Sequence, residues 1–172
     1  MKRFSFLIVL ALSLALGCAK GGYFGSSKTE CRVNPKFQSK AHGNGGCFIV
    51  SDGKMLVIRH KPTGKFDFPG GTAEKGETSQ CTASRETKEE TGNSVEVGKL
   101  LVNFEKIRLF DCKPLKKVRL KASRGVRDEV SEVLLIDPTK TKAKEWRYPV
   151  QHGTLTSIYK QQTRATKTKW FH

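Results

Sequence analysis

Gly71-Thr72-Ala73-Glu74-Lys75-Gly76-Glu77-Thr78-Ser79-Gln80-Cys81-Thr82-Ala83-Ser84-Arg85-Glu86-Thr87-Lys88-Glu89-Glu90-Thr91-Gly92-Asn93 is the stretch whose reading decides the fold. It follows Phe66-Asp67-Phe68-Pro69-Gly70, and two glycines after a proline mark a tight backbone loop. Ser79 to Thr91 holds no Gly or Pro and predicts a helix, with Gly92 placed to cap its end. The helix lacks an ordinary apolar stripe, since its apolar residues are essentially Cys81 and Ala83. The stripe that stands out is anionic. Glu86, Glu89 and Glu90 stand at i, i+3 and i+4 and share one face. Three neighbouring carboxylates repel one another, and a divalent cation offsets that repulsion. Hard oxygen ligands suit Mg²⁺ or Mn²⁺ rather than a thiolate-seeking metal. Arg85 supplies a further positive charge or holds a carboxylate in place. Taken alone, Glu-x-x-Glu-Glu is usually a solvated face, so the spacing of the whole stretch has to carry the reading.

That spacing resembles the Nudix box, the signature of the Nudix hydrolases. The pattern is Gly, five residues, Glu, seven residues, then Arg-Glu-apolar-x-Glu-Glu-x-Gly-apolar. Gly71, Glu77, Arg85, Glu86, Glu89, Glu90 and Gly92 match it, while Thr87 and Asn93 stand where apolar residues are preferred. Both departures fall on packing positions and bear on how the helix docks. The resemblance implies an α/β fold, a Nudix-type α/β/α sandwich with a mixed β-sheet, in which the box forms loop–helix–loop. It implies a metal-dependent pyrophosphohydrolase acting on a nucleoside diphosphate derivative or similar phosphorylated metabolite. Carried over by position, Glu86, Glu89 and Glu90 are metal ligands or metal-linked bases. The carbonyl of Gly70 or Gly71 completes the metal shell, Arg85 orients a glutamate, and Glu77 supports the loop. The resemblance thus assigns catalysis to Glu86, Glu89 and Arg85, and Mg²⁺ or Mn²⁺ to Gly71, Glu86, Glu89 and Glu90. The chemistry is consistent: a diphosphate resists attack by water until its charge is offset, and a carboxylate then takes the proton. Family members often add an acid from outside the box. Asp128, Glu129, Glu132 and Glu145 are candidates, with Glu129 or Glu132 favoured because they flank the start of an expected strand.

Upstream, Lys2 and Arg3 precede an apolar run from Phe4 to Leu16, thirteen residues long. A membrane-spanning helix needs about 20, so this run reads as an export signal over residues 1–17. Leu14-Ala15-Leu16-Gly17-Cys18 resembles the lipobox of bacterial lipoproteins, with Ala15 where Leu is preferred. Lipidation of Cys18 and simple cleavage near Gly17 or Ala19 are the two outcomes. Either places the protein outside the cytoplasm, in the periplasm or cell envelope. Residues 18–40, rich in Gly, Ser and Lys, read as a tether, and 41–172 as the catalytic domain, with the Gly43-Asn44-Gly45 triplet in a loosely structured lead-in between them. Beyond Cys18 remain Cys31, Cys47, Cys81 and Cys112, an even set that permits two disulfides in an oxidising compartment. With no C-x-x-C pair, zinc is disfavoured.

The chain carries 172 residues and a net charge of +16, from 32 Lys plus Arg against 16 Asp plus Glu. Removing residues 1–17 takes away Lys2 and Arg3 and no acid, so the mature protein keeps +14. From Lys113 to Arg127 there are seven basic residues and no acidic one. Such an excess attracts phosphorylated substrate, adheres to an anionic membrane surface, or simply aids solubility. No nucleic-acid motif accompanies it, so no specific nucleic-acid partner is expected. The remaining alternative is a non-catalytic lipoprotein of the same fold that binds anionic ligands or surfaces.

Further elements follow from pattern. Two apolar runs flank Ser51-Asp52-Gly53 and predict a hairpin. Val95 to Phe110 predicts one long strand or two, Val130 to Ile136 another, and Leu155 to Gln162 a closing helix. Trp146-Arg147-Tyr148-Pro149 is an aromatic–basic cluster suited either to stacking a base or to core packing under the last helix.

Overall fold

The strands form two sheets, and each sheet feeds the same two cores. The structure is a computed structural model that describes residues 31–122 and 128–168, the last three by backbone only. The expected export signal, Cys18, the first part of the tether, Arg124, Arg127 and Lys169 lie outside the described residues.

The first sheet has the order β1 (Arg32–Val33), β7 (Val95–Phe104), β8 (Ile107–Pro114), β2 (Gly45–Phe48), β6 (Gly70–Gly71). It is mixed: β1–β7 and β2–β8 are parallel, while β7–β8 and β2–β6 are antiparallel. In the second sheet β4 (Lys54–His60) is central, with β9 (Val130–Ile136) along one side and β3 (Val50–Ser51) and β5 (Lys65–Asp67) along the other. Side chains alternate across each strand. Cys47 and Ile49 of the first run, and Leu56 and Ile58 of β4, therefore join Ala83 of α1 (Ser79–Thr91) in one core. Phe48, Met55 and Val57 point the other way and meet Leu155 and Tyr159 of α2 (His152–Thr168) in a second core. A helix on each side of the sheets gives the α/β/α layering. Among the described residues no helix is long and apolar enough to cross a membrane.

Several expectations are met residue by residue. Asp52 and Gly53 take φ of 50° and 69°, the left-handed pair that a two-residue hairpin turn between Ser51 and Lys54 requires. The long apolar segment splits into β7 and β8 at Glu105-Lys106, with Phe104 opposite Ile107. β9 spans Val130–Ile136 and stops at Asp137-Pro138. The closing helix is longer than expected at both ends.

Two segments differ from their sequence reading. Residues 31–40 were expected within the tether, but they lie on the domain. Arg32 and Val33 pair with Glu96 and Val97, and the Gln80 side chain accepts from Ser39 N (2.8 Å) and donates to Phe37 O (2.9 Å). Cys31 is joined to Cys81 of α1, and Cys47 to Cys112, which settles the pairing that spacing left open. The Gly43-Asn44-Gly45 triplet was read as part of a loose lead-in, yet Gly45 and Gly46 form part of the inner strand β2. A Cβ at Gly45 would collide with the backbone of Ser79, and one at Gly46 with the Phe68 ring at 2.6 Å. Missing side chains let α1 and the Pro69–Gly71 loop approach the sheet backbone to backbone. This close approach also explains the weak apolar stripe of α1, whose buried face carries Ser79, Thr82, Ala83, Ser84 and Thr87.

Candidate active site

Local chemistry sets the ends of α1. The Thr78 hydroxyl accepts from Cys81 N at the start, and Gly92, at φ 69°, donates its N–H to Lys88 O at the end. Between them Arg85 is a hub. Its Nε and Nη2 donate to the two carboxylate oxygens of Glu77, each at 3.0 Å, a bidentate pairing of largely buried groups. Nη2 also donates to Thr72 O at 2.9 Å, and Nη1 reaches Glu86 at 2.9 Å and Glu89 at 3.0 Å. Glu77 additionally accepts from Glu74 N, so it ties the loop to the helix as expected of a supporting residue. Burial by itself raises Glu77, but hydrogen bonds from Arg85, Glu74 N and Thr82, together with the Arg85 charge, hold it below its ordinary range.

The three glutamates sit in different surroundings. Glu90 is buried, and its carboxylate accepts from Gly70 N at 2.9 Å. Burial pushes its pKa well up, and the neighbouring charges of Glu86, Asp67 and Glu129 add to the rise. Glu86 is half-buried against Gly71, where an added Cβ would lie 2.5 Å from its carboxyl carbon. Burial raises Glu86 as well; Arg85 opposes the rise, and Glu89 and Glu129 reinforce it. Glu89 is the most open of the three, with its side chain 45% exposed.

Among the described residues the three carboxylates do not close on one point. Glu86 and Glu89 lean on Arg85, and Glu90 on the Gly70 amide. Their chemistry nonetheless fits a hard divalent cation. Burial raises both Glu86 and Glu90, Arg85 opposes the rise at Glu86, and carboxylate oxygens are the donors that Mg²⁺ and Mn²⁺ prefer.

A cleft of about 450 Å³ opens beside the Gly70–Gly71 loop, lined also by Asn44, Asp67, Phe104, Lys106, Arg147 and Tyr148. Asp67 is the site residue that sequence reading missed. It is buried at the end of β5, 3.4 Å from the Arg147 guanidinium, and accepts from Phe68 N at 2.9 Å. Burial pushes its pKa up to about 6 despite Arg147. An acidic residue between two phenylalanines, immediately before the Pro-Gly-Gly loop, was the available signal.

The outside acids separate clearly. Asp128 is fully exposed and pairs with Lys61, Glu132 pairs with Arg59 at 2.6 Å, and Glu145 caps its own short turn through Lys142 N. Glu129 is the one whose charge is felt by both Glu86 and Glu90. The aromatic–basic cluster divides too. Trp146 is 1% exposed, packs edge-on against Phe66 and donates from Nε1 to Thr141, so it is core. Arg147 and Tyr148 face the cleft, the guanidinium lying 5.2 Å from the tyrosine ring centroid. Of the two departures at packing positions, Thr87 is buried with its hydroxyl lacking a hydrogen-bond partner among the described residues, and Asn93 clamps a distant loop.

A family model described as "NUDIX domain" matches residues 41–152. A "MutT-like protein" of Streptomyces ambofaciens is 34% identical over 99 residues, covering 51% of this chain and 64% of the relative. The chain therefore spans less than two thirds of that relative's length. A NUDIX hydrolase structure from Nitrosomonas europaea superposes with a TM-score of 0.58 at 23% identity, over 77% of this chain and 80% of that one. An ADP-ribose pyrophosphatase from Streptococcus suis gives 0.56 at 16% identity, over 70% and 90%. A C. elegans Ap4A hydrolase gives 0.55 at 17% identity, over 71% and 98%. At such identities the structural likenesses speak for the shared fold, whereas the family model covers most of the chain, and with it the entire Gly71–Asn93 stretch. This chain belongs to the NUDIX domain family.

Proposed function

We propose that the protein is an exported, metal-dependent pyrophosphohydrolase that cleaves a diphosphate linkage in a nucleoside diphosphate derivative or similar phosphorylated metabolite. The observation that carries this reading is the pair of burial-raised carboxylates, Glu86 and Glu90, held against a glycine loop that lines an open cleft. The pyrophosphatase and Ap4A hydrolase named among structures of similar fold agree with it.

Glu86, Glu89 and Glu90, with the Gly71 carbonyl, would hold Mg²⁺ or Mn²⁺. Bound there, the ion offsets phosphate charge and lowers the pKa of water. Glu86 or Glu89 takes the proton of the attacking water. Arg85 keeps both carboxylates in position, and its bond to Glu77 keeps Arg85 in position. Lys106 and Arg147 at the cleft offer charge to the phosphates, and the Arg147–Tyr148 stack offers a flat face to a base. The N-terminal apolar run and Cys18 support anchoring in the cell envelope as a lipoprotein.

A panel of diphosphate substrates with Mg²⁺ or Mn²⁺, run on wild type and Glu89→Gln, tests the activity. Hydrolysis of at least one substrate, slowed about 10³-fold by the substitution, is expected. Equal rates for both proteins, or no turnover of any substrate, overturn the proposal. Mass spectrometry of the membrane fraction tests the anchor: an N-terminus at Cys18 carrying acyl mass supports it, and an unmodified N-terminus near Ala19 replaces it with simple secretion.

A further inference from the structure

The loop after β8 is strongly basic but also firmly held. Lys113 to Ala122 contains Lys113, Lys116, Lys117, Arg119 and Lys121 and no acid. Val118 and Ala122 turn inward onto the core under α1. Leu115 N donates to Ser94 O at 2.9 Å. The buried Asn93 side chain closes a two-way clamp on Arg119, accepting from its N at 2.8 Å and donating to its O at 3.0 Å. The box position where an apolar residue is preferred thus carries a group that fixes this loop. With its inner residues anchored, the loop turns its cations outward, together with Leu115 and Leu120, which are 41% and 54% exposed. Exposed leucines among lysines suit a surface that enters a lipid headgroup layer.

The position of the loop relative to the chain's entry point adds an independent reason. β1 runs parallel to β7, with Arg32 beside Glu96, and Glu96 beside Lys113 on the other side. Two strand spacings, about 10 Å, separate Arg32 from Lys113. Because the pairing is parallel, Cys31 lies toward the Ser94 end of β7, the end that holds the basic loop. The thirteen residues 18–30 reach at most roughly 45 Å when extended. A chain anchored at Cys18 therefore keeps this end of the domain within roughly 45 Å of the membrane. The substrate cleft lies at the other end of the same hairpin, where Phe104 to Ile107 line it. The ten residues of β7 put roughly 30 Å between the two ends.

We infer that the Lys113–Ala122 loop is a docking face for an anionic lipid bilayer.

The test uses the full chain with vesicles of phosphatidylcholine alone and of phosphatidylcholine with phosphatidylglycerol, measured by co-sedimentation. The apolar N-terminal run contributes to both, so the loop is read from the difference between them. Anionic vesicles are expected to bind at least about tenfold more tightly at low salt, and the excess should shrink as salt rises. The combined variant Lys116→Gln, Lys117→Gln, Arg119→Gln, Lys121→Gln should lose most of that excess; Leu115→Ser with Leu120→Ser should weaken binding to both vesicle types. Equal wild-type binding to the two vesicle types overturns the proposal without any variant. So does an anionic excess that survives the four substitutions, and so does loop-dependent binding to RNA that exceeds binding to anionic vesicles.

Discussion

Glu86 on α1 and Asp67 at the cleft are both carboxylates that burial raises and a guanidinium opposes, but they are held in opposite ways. Arg85 is bound on all its nitrogens by groups within the box: Glu77, Thr72, Glu86 and Glu89. Asp67 has one guanidinium, 80 residues away, at 3.4 Å and half-exposed on the cleft wall. The first arrangement is redundant and local, which suits charges that must keep fixed positions relative to one another. The second rests on a single long-range contact at the cleft surface, which suits a group that exchanges its partner for a ligand. The chemistry is held rigidly, and recognition is left replaceable.

Removing Arg85 strikes the redundant system at its centre. Arg85→Ala leaves the largely buried Glu77 and Glu86 uncompensated and should lower stability by about 3 kcal/mol. A shifted urea midpoint at unchanged slope would register it. Arg85→Lys keeps the charge but not the fork and should fall between the two. If Arg85→Ala costs no more than an ordinary surface substitution, the contrast between the two systems fails.

Asp67 gives a pH test with a definite sign. Its pKa is about 6 when folded against an ordinary value near 3.8, so between these values the folded protein holds more protons than the unfolded one. Stability therefore falls as pH rises from about 4 to about 6, by on the order of 2 kcal/mol from this group. Glu86 and Glu90, also raised, add slope of the same sign. Asp67→Asn should flatten part of the decline, visible in melting temperatures across that range; an unchanged pH profile would show that Asp67 is not raised.

The smallest effect expected is at the cleft surface. Tyr148→Ala should raise KM about fivefold for substrates bearing a base and leave kcat near wild type, since stacking energy is lost without touching the glutamates. A substrate lacking a base should show no change. A fall in kcat instead would place Tyr148 with the catalytic system and blur the comparison.

Where sequence reading succeeded, the interactions are short in chain distance. The helix Ser79–Thr91, its Gly92 cap, the Asp52-Gly53 turn and the shared face of Glu86, Glu89 and Glu90 all follow from residues within a few positions of one another. Where it failed, the partner was remote. The Gly45–Gly46 pair looked like loop because its reason is a helix and an aromatic ring from elsewhere in the chain. Residues 31–40 looked like tether because they are polar, and they dock through backbone pairing and the Gln80 amide rather than through apolar burial. Asn93 looked like a flaw in a packing position because the loop it clamps lies 26 residues on.

By itself the sequence determined the family, the layered α/β class and which carboxylates share a face, because helical spacing converts directly into geometry. Only the tertiary structure decided the pairing of Cys31 with Cys81 and Cys47 with Cys112, and the partnership of Asp67 with Arg147. It also decided that three glutamates on one helical face meet three different environments. Burial, which raises Glu86 and Glu90, depends on what the rest of the chain brings against that face.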